Sequence, residues 1–222
     1  MKMDYKSIKS HLKNVYFING TAYAGKSTVC KLLAEKYNMY HCEENYKFGE
    51  FLKLTNEYTH PNMNYFKTMK NWEEFVLRSK EEYESWIDGV SLETTEFEIA
   101  ELMSLSKDQK VIVDTNIPHH ILKKISDRNH VVYMVSTPDI STNHFFNRPD
   151  SEKQFLLDVI SKIEKPKEAL KKFKETISYI NRQERIDEFI NSGYYVIRRK
   201  DIDEDINEKV KLVEAHFKLK QN

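Results

Sequence analysis

The sequence predicts a doubly wound α/β domain, a parallel sheet covered by helices on both faces, from three observations. Five short runs rich in β-branched and aromatic residues have the length of buried strands: NVYFIN (14–19), MYHCE (39–43), KVIVDT (110–115), HVVYMVS (130–136) and YYVIRR (194–199). Between these runs, apolar residues recur at helical spacing. The first run leads at once into a turn carrying two glycines, in a chain with only five. Strands that are apolar throughout are buried on both faces, and their alternation with helices makes the connections crossovers, hence the sheet parallel.

Each element has its own warrant. After the first strand, Val29, Leu32, Leu33 and Tyr37 fall on one face of a helix. The second strand is followed by a long excursion, Glu43 to Lys110, with room for several helices. One of them is marked by Trp72, Phe75, Val76, Tyr83, Trp86, Ile87 and Val90, a stripe whose helical spacing favours core packing over stacking on a planar substrate. The fourth strand gives way to a second excursion, Thr137 to Ser192, which opens with the polar stretch STPDISTNHFFNRPDSEK. From about Asp203, Ile206, Val210, Val213 and Phe217 mark a closing helix. Both excursions leave the carboxyl ends of strands, where ligands bind in such sheets and where long insertions carry binding residues and lids.

Composition narrows the function. Lys+Arg and Asp+Glu both total 35, so the basic excess expected of a nucleic-acid binder is missing. The longest apolar runs, such as VVYMV (131–135), are too short to span a bilayer, and the first residues lack the apolar stretch of a signal peptide. Cys30 and Cys42 fall in a helix and a strand and read as reduced core residues, so a cytoplasmic protein without a membrane partner is expected. At 222 residues the chain suits a single domain with insertions.

The glycine-bearing turn reads Gly20-Thr21-Ala22-Tyr23-Ala24-Gly25-Lys26-Ser27, followed by Thr28, and fits the spacing G-x-x-x-x-G-K-[ST]. Such a loop curls so that backbone N–H groups point at phosphate oxygens, and glycine permits both the curvature and the close approach. The helix that follows adds the positive end of its dipole. Lys26 supplies a point charge to the β- and γ-phosphates, and the Ser27 hydroxyl ligates Mg²⁺. The expected ligands are therefore ATP, or another nucleoside triphosphate, and Mg²⁺. The competing reading is a strand-to-helix turn that contains glycines for packing alone.

The stretch VYFINGTAYAGKSTVCKLLAEKY (15–37) resembles the first strand, loop and helix of the small P-loop kinases, a group including nucleoside monophosphate kinases, shikimate kinases and chloramphenicol phosphotransferases. VIVDTN (111–116) and NRPD (147–150) resemble it more loosely. The resemblance implies a three-layer α/β/α fold with five parallel strands in the order 2-3-1-4-5. It also implies a helical substrate-binding region after strand 2, here 44–108, and a lid after strand 4, here Ser141 to Lys153. ATP-dependent transfer of the γ-phosphoryl group to a small hydroxyl-bearing acceptor is the activity implied.

Further site residues follow from that plan. Asp114 ends the run Val111-Ile112-Val113 and resembles the second nucleotide-binding motif, whose aspartate holds Mg²⁺; a helix-capping carboxylate is the alternative. Arginines number seven against 28 lysines, and the guanidinium fork fits spread phosphoryl charge better than an ammonium does. Arg148, in the expected lid, is the first candidate for a catalytic cation, with Arg182 and Arg185 either joining it or lying solvated beside Glu184 and Glu188. Arg128, Arg198 and Arg199 flank strands and read as structural or solvated. Glu43 and Glu44, where strand 2 ends, are candidates to orient the acceptor or take its proton, and Asn116 is similarly placed after strand 3. His119 and His120 are adjacent, so their rings diverge on a helix, and no zinc site is expected.

Two departures limit the analogy. DTNIPHH (114–120) stands where shikimate kinases carry a glycine run and where nucleoside monophosphate kinases show Asp-Gly-x-Pro-Arg. The acceptor is thus left blank. No Asn/Thr-Lys-x-Asp guanine reader and no Leu-Ser-Gly-Gly-Gln signature occurs, which excludes regulatory GTPases and transporter ATPases. The surviving alternative is a nucleotide-binding ATPase or regulator with no small acceptor.

Overall fold

The computed structural model describes residues 4–146 and 151–220. A short helix α1 (Tyr5–His11) leads into β1 (Val15–Gly20), then α2 (Lys26–Tyr37) and β2 (Tyr40–Cys42). The first excursion holds α3 (Phe48–Lys53), α4 (Tyr65–Thr68), α5 (Trp72–Val76) and the long α6 (Lys80–Leu105), ending at β3 (Val111–Asp114). Helix α7 (His119–Ile125) returns the chain to β4 (Val131–Ser136). The second excursion holds α8 (Pro138–His144), α9 (Ser151–Ser161), α10 (Pro166–Ile180) and α11 (Gln183–Ile190), before β5 (Tyr195–Arg199) and α12 (Ile206–Phe217).

The five strands form one sheet in the order β2-β3-β1-β4-β5, every pair parallel. The fold class and strand order are those expected, and each strand matches its apolar run to within one or two residues. Side chains alternate across the sheet. Val15, Phe17, Val111, Val113, Val131 and Tyr133 face α6 and α7, whose Ile99, Leu102, Leu122 and Ile125 complete one core. Tyr16, Ile18, Ile112, Val132, Met134 and Ile197 face α2 and α12 through Val29, Leu33, Val210 and Val213. Cys30 and Cys42 are free, buried and on opposite faces of the sheet. Among the described residues, no helix is long and apolar enough to cross a membrane.

A third core lies off the sheet, and both excursions contribute to it. Phe75, Val76 and Tyr83 of the first pack with Ile160, Ala169, Phe173 and Ile177 of the second. The two insertions thus make one helical cap. Its long strut is α6, 26 residues and about 39 Å in length, whose amino-terminal half carries Tyr83 in the cap and whose carboxyl half carries Ile99 and Leu102 on the sheet.

The aromatic stripe 72–90 is core, as its spacing implied, but not one helix. It divides into α5 and α6 because Ser79 caps a new start. The Ser79 hydroxyl accepts the Glu82 N–H at 3.1 Å, and the Glu82 carboxylate accepts the Ser79 N–H at 2.9 Å. This reciprocal cap offers the backbone a better end than continuation through Leu77 and Arg78 would.

Candidate active site

The register carries the site residues to one edge of the sheet. Ile18 of β1 pairs with Asp114, and Gly20 pairs with Met134 of β4, so the turn 20–28 leaves the sheet beside the carboxyl ends of β3 and β4. Both glycines are demanded by this geometry. Gly20 has φ +134°, and a Cβ there would lie 1.8 Å from the Met134 carbonyl oxygen. Gly25 has φ +93° where it caps α2, and a Cβ there would meet Ile206 Cδ1 at 2.8 Å.

The loop carbonyls are anchored from outside. The Ala22 carbonyl accepts the Ser136 hydroxyl at 2.7 Å and the Ser141 hydroxyl at 3.1 Å, and the Tyr23 carbonyl accepts Arg199 Nη1 at 3.0 Å. Thr21 Oγ1 accepts the Ser136 N–H at 2.8 Å. In a trans peptide unit the N–H opposes the C=O, so the N–H groups of Tyr23 and Ala24 face away from these anchors. Ser136 and Arg199 are not among the site residues the sequence suggests, and Ser141, expected to open the lid, is instead a buried anchor of the loop. A Thr-Pro step following an apolar strand carries no signal that its neighbouring serines reach a loop more than 100 residues earlier.

Three of the expected residues converge at the start of α2. Ser27 Oγ donates to Asp114 Oδ2 at 2.8 Å, and Lys26 Nζ lies 3.6 Å from Asp114 Oδ1 and 3.3 Å from the Thr21 carbonyl. Lys26 is 6% exposed and Asp114 2%. Burial pushes the Lys26 ammonium down, but the carboxylates of Asp114 and Glu44 outweigh it and hold its pKa above the ordinary lysine range. Burial also pushes the Asp114 carboxyl up, with Lys26 opposing and Glu44 reinforcing that rise. Asp114 does not cap α7, whose N-cap is Pro118. Its Oδ1, fully buried, has no hydrogen-bond partner among the described residues and only the Lys26 ammonium at 3.6 Å.

Beside Asp114 lies a cavity walled by Glu43, Asn45, Tyr46, Phe48, Phe51, Thr94, Glu98 and Asn116. In this conformation it encloses about 20 Å³ open to a water-sized sphere. Asn116 Nδ2 donates to Glu44 Oε1 at 3.0 Å on its rim, so the expected acceptor-side residues Glu43, Glu44 and Asn116 do gather next to Asp114. Glu98 of α6 was missed. Its Oε1 is shielded from solvent with no hydrogen-bond partner among the described residues; burial, then the charges of Asp114 and Glu44, push its carboxyl up to about 7, against a hydrogen bond from the Thr115 hydroxyl that lowers it. A signal existed: Glu98 interrupts the apolar stripe Thr95, Ile99, Leu102 at helical spacing.

Other expected residues lie elsewhere. Arg182 Nη1 donates to Glu84 at 2.6 Å, and Arg185 bonds the same carboxylate at 2.7 Å and also Asp88. These arginines pin α11 to α6 on the cap, away from the loop. Arg148 lies outside the described residues. The expected lid stretch 141–153 is helical at both described ends, in α8 and α9, and Ser141 is a buried anchor of the loop. The rings of His119 and His120 stand at 90° with centroids 6.1 Å apart. Neither a family model nor a curated protein sequence matches this chain.

Proposed function

We propose that this chain is a small P-loop kinase that binds ATP with Mg²⁺ and transfers the γ-phosphoryl group to a small hydroxyl-bearing acceptor. The observation that carries the reading is the meeting of Lys26, Ser27 and Asp114 behind a glycine turn at the amino end of α2. Glycines required by packing explain the turn but not a lysine and an aspartate drawn into the same buried place. Burying an ion pair is expensive and seldom a source of stability, so its retention favours a ligand role.

The residues fit both ligands. Tyr23 and Ala24 N–H groups, with the first turn of α2, suit phosphate oxygens. Ser27 and Asp114 offer hard oxygen donors, and Asp114 Oδ1 is an acceptor still without a hydrogen bond, which suits Mg²⁺ held by one or two protein groups and by phosphates. Mg²⁺, when bound, neutralises charge on the β- and γ-phosphates. Lys26 supports the same charge from within the loop, and the anchors from Ser136, Ser141 and Arg199 keep the loop backbone preorganised. Arg148 would add a cation from the second excursion. Glu43 and Glu44 stand where an acceptor hydroxyl would be oriented.

Hydrolysis or ATP sensing without an acceptor draws support from the small size of the cavity, which at about 20 Å³ has room for a water but not a metabolite. Two measurements test the proposal. Lys26→Ala should weaken ATP–Mg²⁺ binding in calorimetry and lower any phosphoryl transfer by about 100-fold or more, while circular dichroism stays unchanged. Unchanged affinity in the folded variant would sink the phosphate-loop reading. ADP release by the unaltered protein should then rise when hydroxyl acceptors are added; a rate indifferent to every acceptor favours the hydrolase.

A further inference from the structure

The cavity beside Asp114 also constrains what the acceptor can be. Three carboxylates, Glu43, Glu98 and Asp114, line it, and no lysine or arginine does among the described residues. Two cations near its walls are engaged, Lys26 with the lining carboxylate Asp114 and Lys47 with Glu101 at 2.6 Å. Among the described residues the buried acceptor Glu98 Oε1 has no hydrogen-bond partner, and neither has Asp114 Oδ1, which faces Lys26 at 3.6 Å and is the oxygen assigned to Mg²⁺ above. The Tyr46 phenol, which also lines the cavity, is buried beside the Cys42 thiol and feels the charges of Glu98 and Glu101. Phe48 and Phe51 of α3 give the cavity its apolar lining.

A buried acceptor such as Glu98 Oε1, with no donor aimed at it, asks for a ligand that brings one. A phosphorylated acceptor would bring the reverse, more negative charge into a ring of carboxylates with no guanidinium to receive it. We infer that the acceptor is an uncharged or cationic small molecule, a polyol or an amine-bearing alcohol with an apolar face, held by Glu98 and the neighbouring carboxylates, and not a nucleoside monophosphate or other phosphomonoester. This rests on the ATP-dependent transfer proposed above. Because a metabolite needs hundreds of cubic ångströms, the cavity must widen to admit it. Glu98 is then a substrate-binding residue as well as the charge that selects against phosphate.

The test uses the full chain saturated with Mg²⁺ and a non-hydrolysable ATP analogue. Glucose, glucosamine and glucose 6-phosphate, with uridine and uridine 5′-monophosphate, serve as millimolar probes in an amide-shift titration. The amide signals of Asn116, Glu98 and α3 should move with the neutral and amino members, and the phosphate members should bind at least about tenfold more weakly. In Glu98→Gln the glucosamine response should weaken about tenfold while that of glucose changes little. Since Glu98→Gln keeps the side chain's shape, its fold is checked by the unchanged shifts of the strands. Phosphate probes that move these amides as well as their partners do would overturn the inference. So would a pocket that answers to no probe in protein that still binds the ATP analogue. Failure to bind the analogue at all is a different result, and it removes the kinase reading itself.

Discussion

The three central strands of the sheet, β1, β3 and β4, are sealed on both faces, whereas the cap leaves many of its large side chains half-buried. Val15, Phe17, Ile18 and Val111 through Val113 have no exposed surface, and helices cover them on both sides. In the cap, Phe75, Tyr83 and Phe173 are buried, but Tyr65, Trp72, Trp86, Phe145 and Phe146 only pack partly against them, and Phe155 is 42% exposed. The cap also draws its two halves from segments separated by the whole of β3 and β4, so each half is incomplete alone. The sheet is therefore the rigid partner that holds Asp114 and the glycine turn in register. The cap is the partner with room to move, and the candidate site lies at the seam, reached from the sheet by Asp114 and from α6 by Glu98.

The largest expected effect is on the sheet side. In Gly20→Val a side chain would be forced into a left-handed backbone and onto the Met134 carbonyl, contact that neither β1 nor β4 can relieve. A loss of more than about 4 kcal/mol is expected, seen as absence of a cooperative urea transition. A variant that unfolds near the parent's midpoint would show that the sheet edge is not rigid.

Phe173→Ala probes the cap at its centre, where the ring meets Tyr83, Phe145 and Phe146. We expect about 3 kcal/mol of local destabilisation, read by hydrogen exchange in α9 and α10. If the amides of β1, β3 and β4 exchange faster by the same factor, the two regions unfold as one unit and the comparison fails.

The smallest effect lies at the seam. Glu98 has its carboxyl raised from 4.5 to about 7. Between those values the folded chain keeps a proton that the unfolded chain has released, so stability falls as pH rises through that window. Half-burial and relaxation moderate the loss to about 2 kcal/mol between pH 5 and 8. Glu98→Gln should be more stable than the parent at pH 8 and nearly equal at pH 5, in paired denaturant titrations. Parallel pH profiles would mean that Glu98 is solvated.

Much of this was legible beforehand because the signals are local. A parallel strand declares itself by an unbroken apolar run, and all five were found near their true bounds. The turn 20–28 was legible because glycine, lysine and serine at fixed spacing form one contiguous instruction. The division of the aromatic stripe was also local: Ser79 and Glu82 stand at capping-box spacing, and the apolar periodicity around them masked it. Arg182 and Arg185 were different. Their partners Glu84 and Asp88 lie about a hundred residues away, so no reading of INRQER alone could decide between solvent, site and cap.

The sequence by itself determined the layered class, the order of elements and the identity of the loop residues, since these depend on periodicity and on short-range backbone chemistry. Tertiary structure alone decided that the two excursions share a core. It alone decided that Ser136, Ser141 and Arg199 hold the loop from outside, and that Glu98 enters the cavity beside Asp114. Those outcomes depend on which side chains meet after the chain has closed over long separations. A carboxylate on a helix is cheap in water, and only burial against two others gives Glu98 its chemistry.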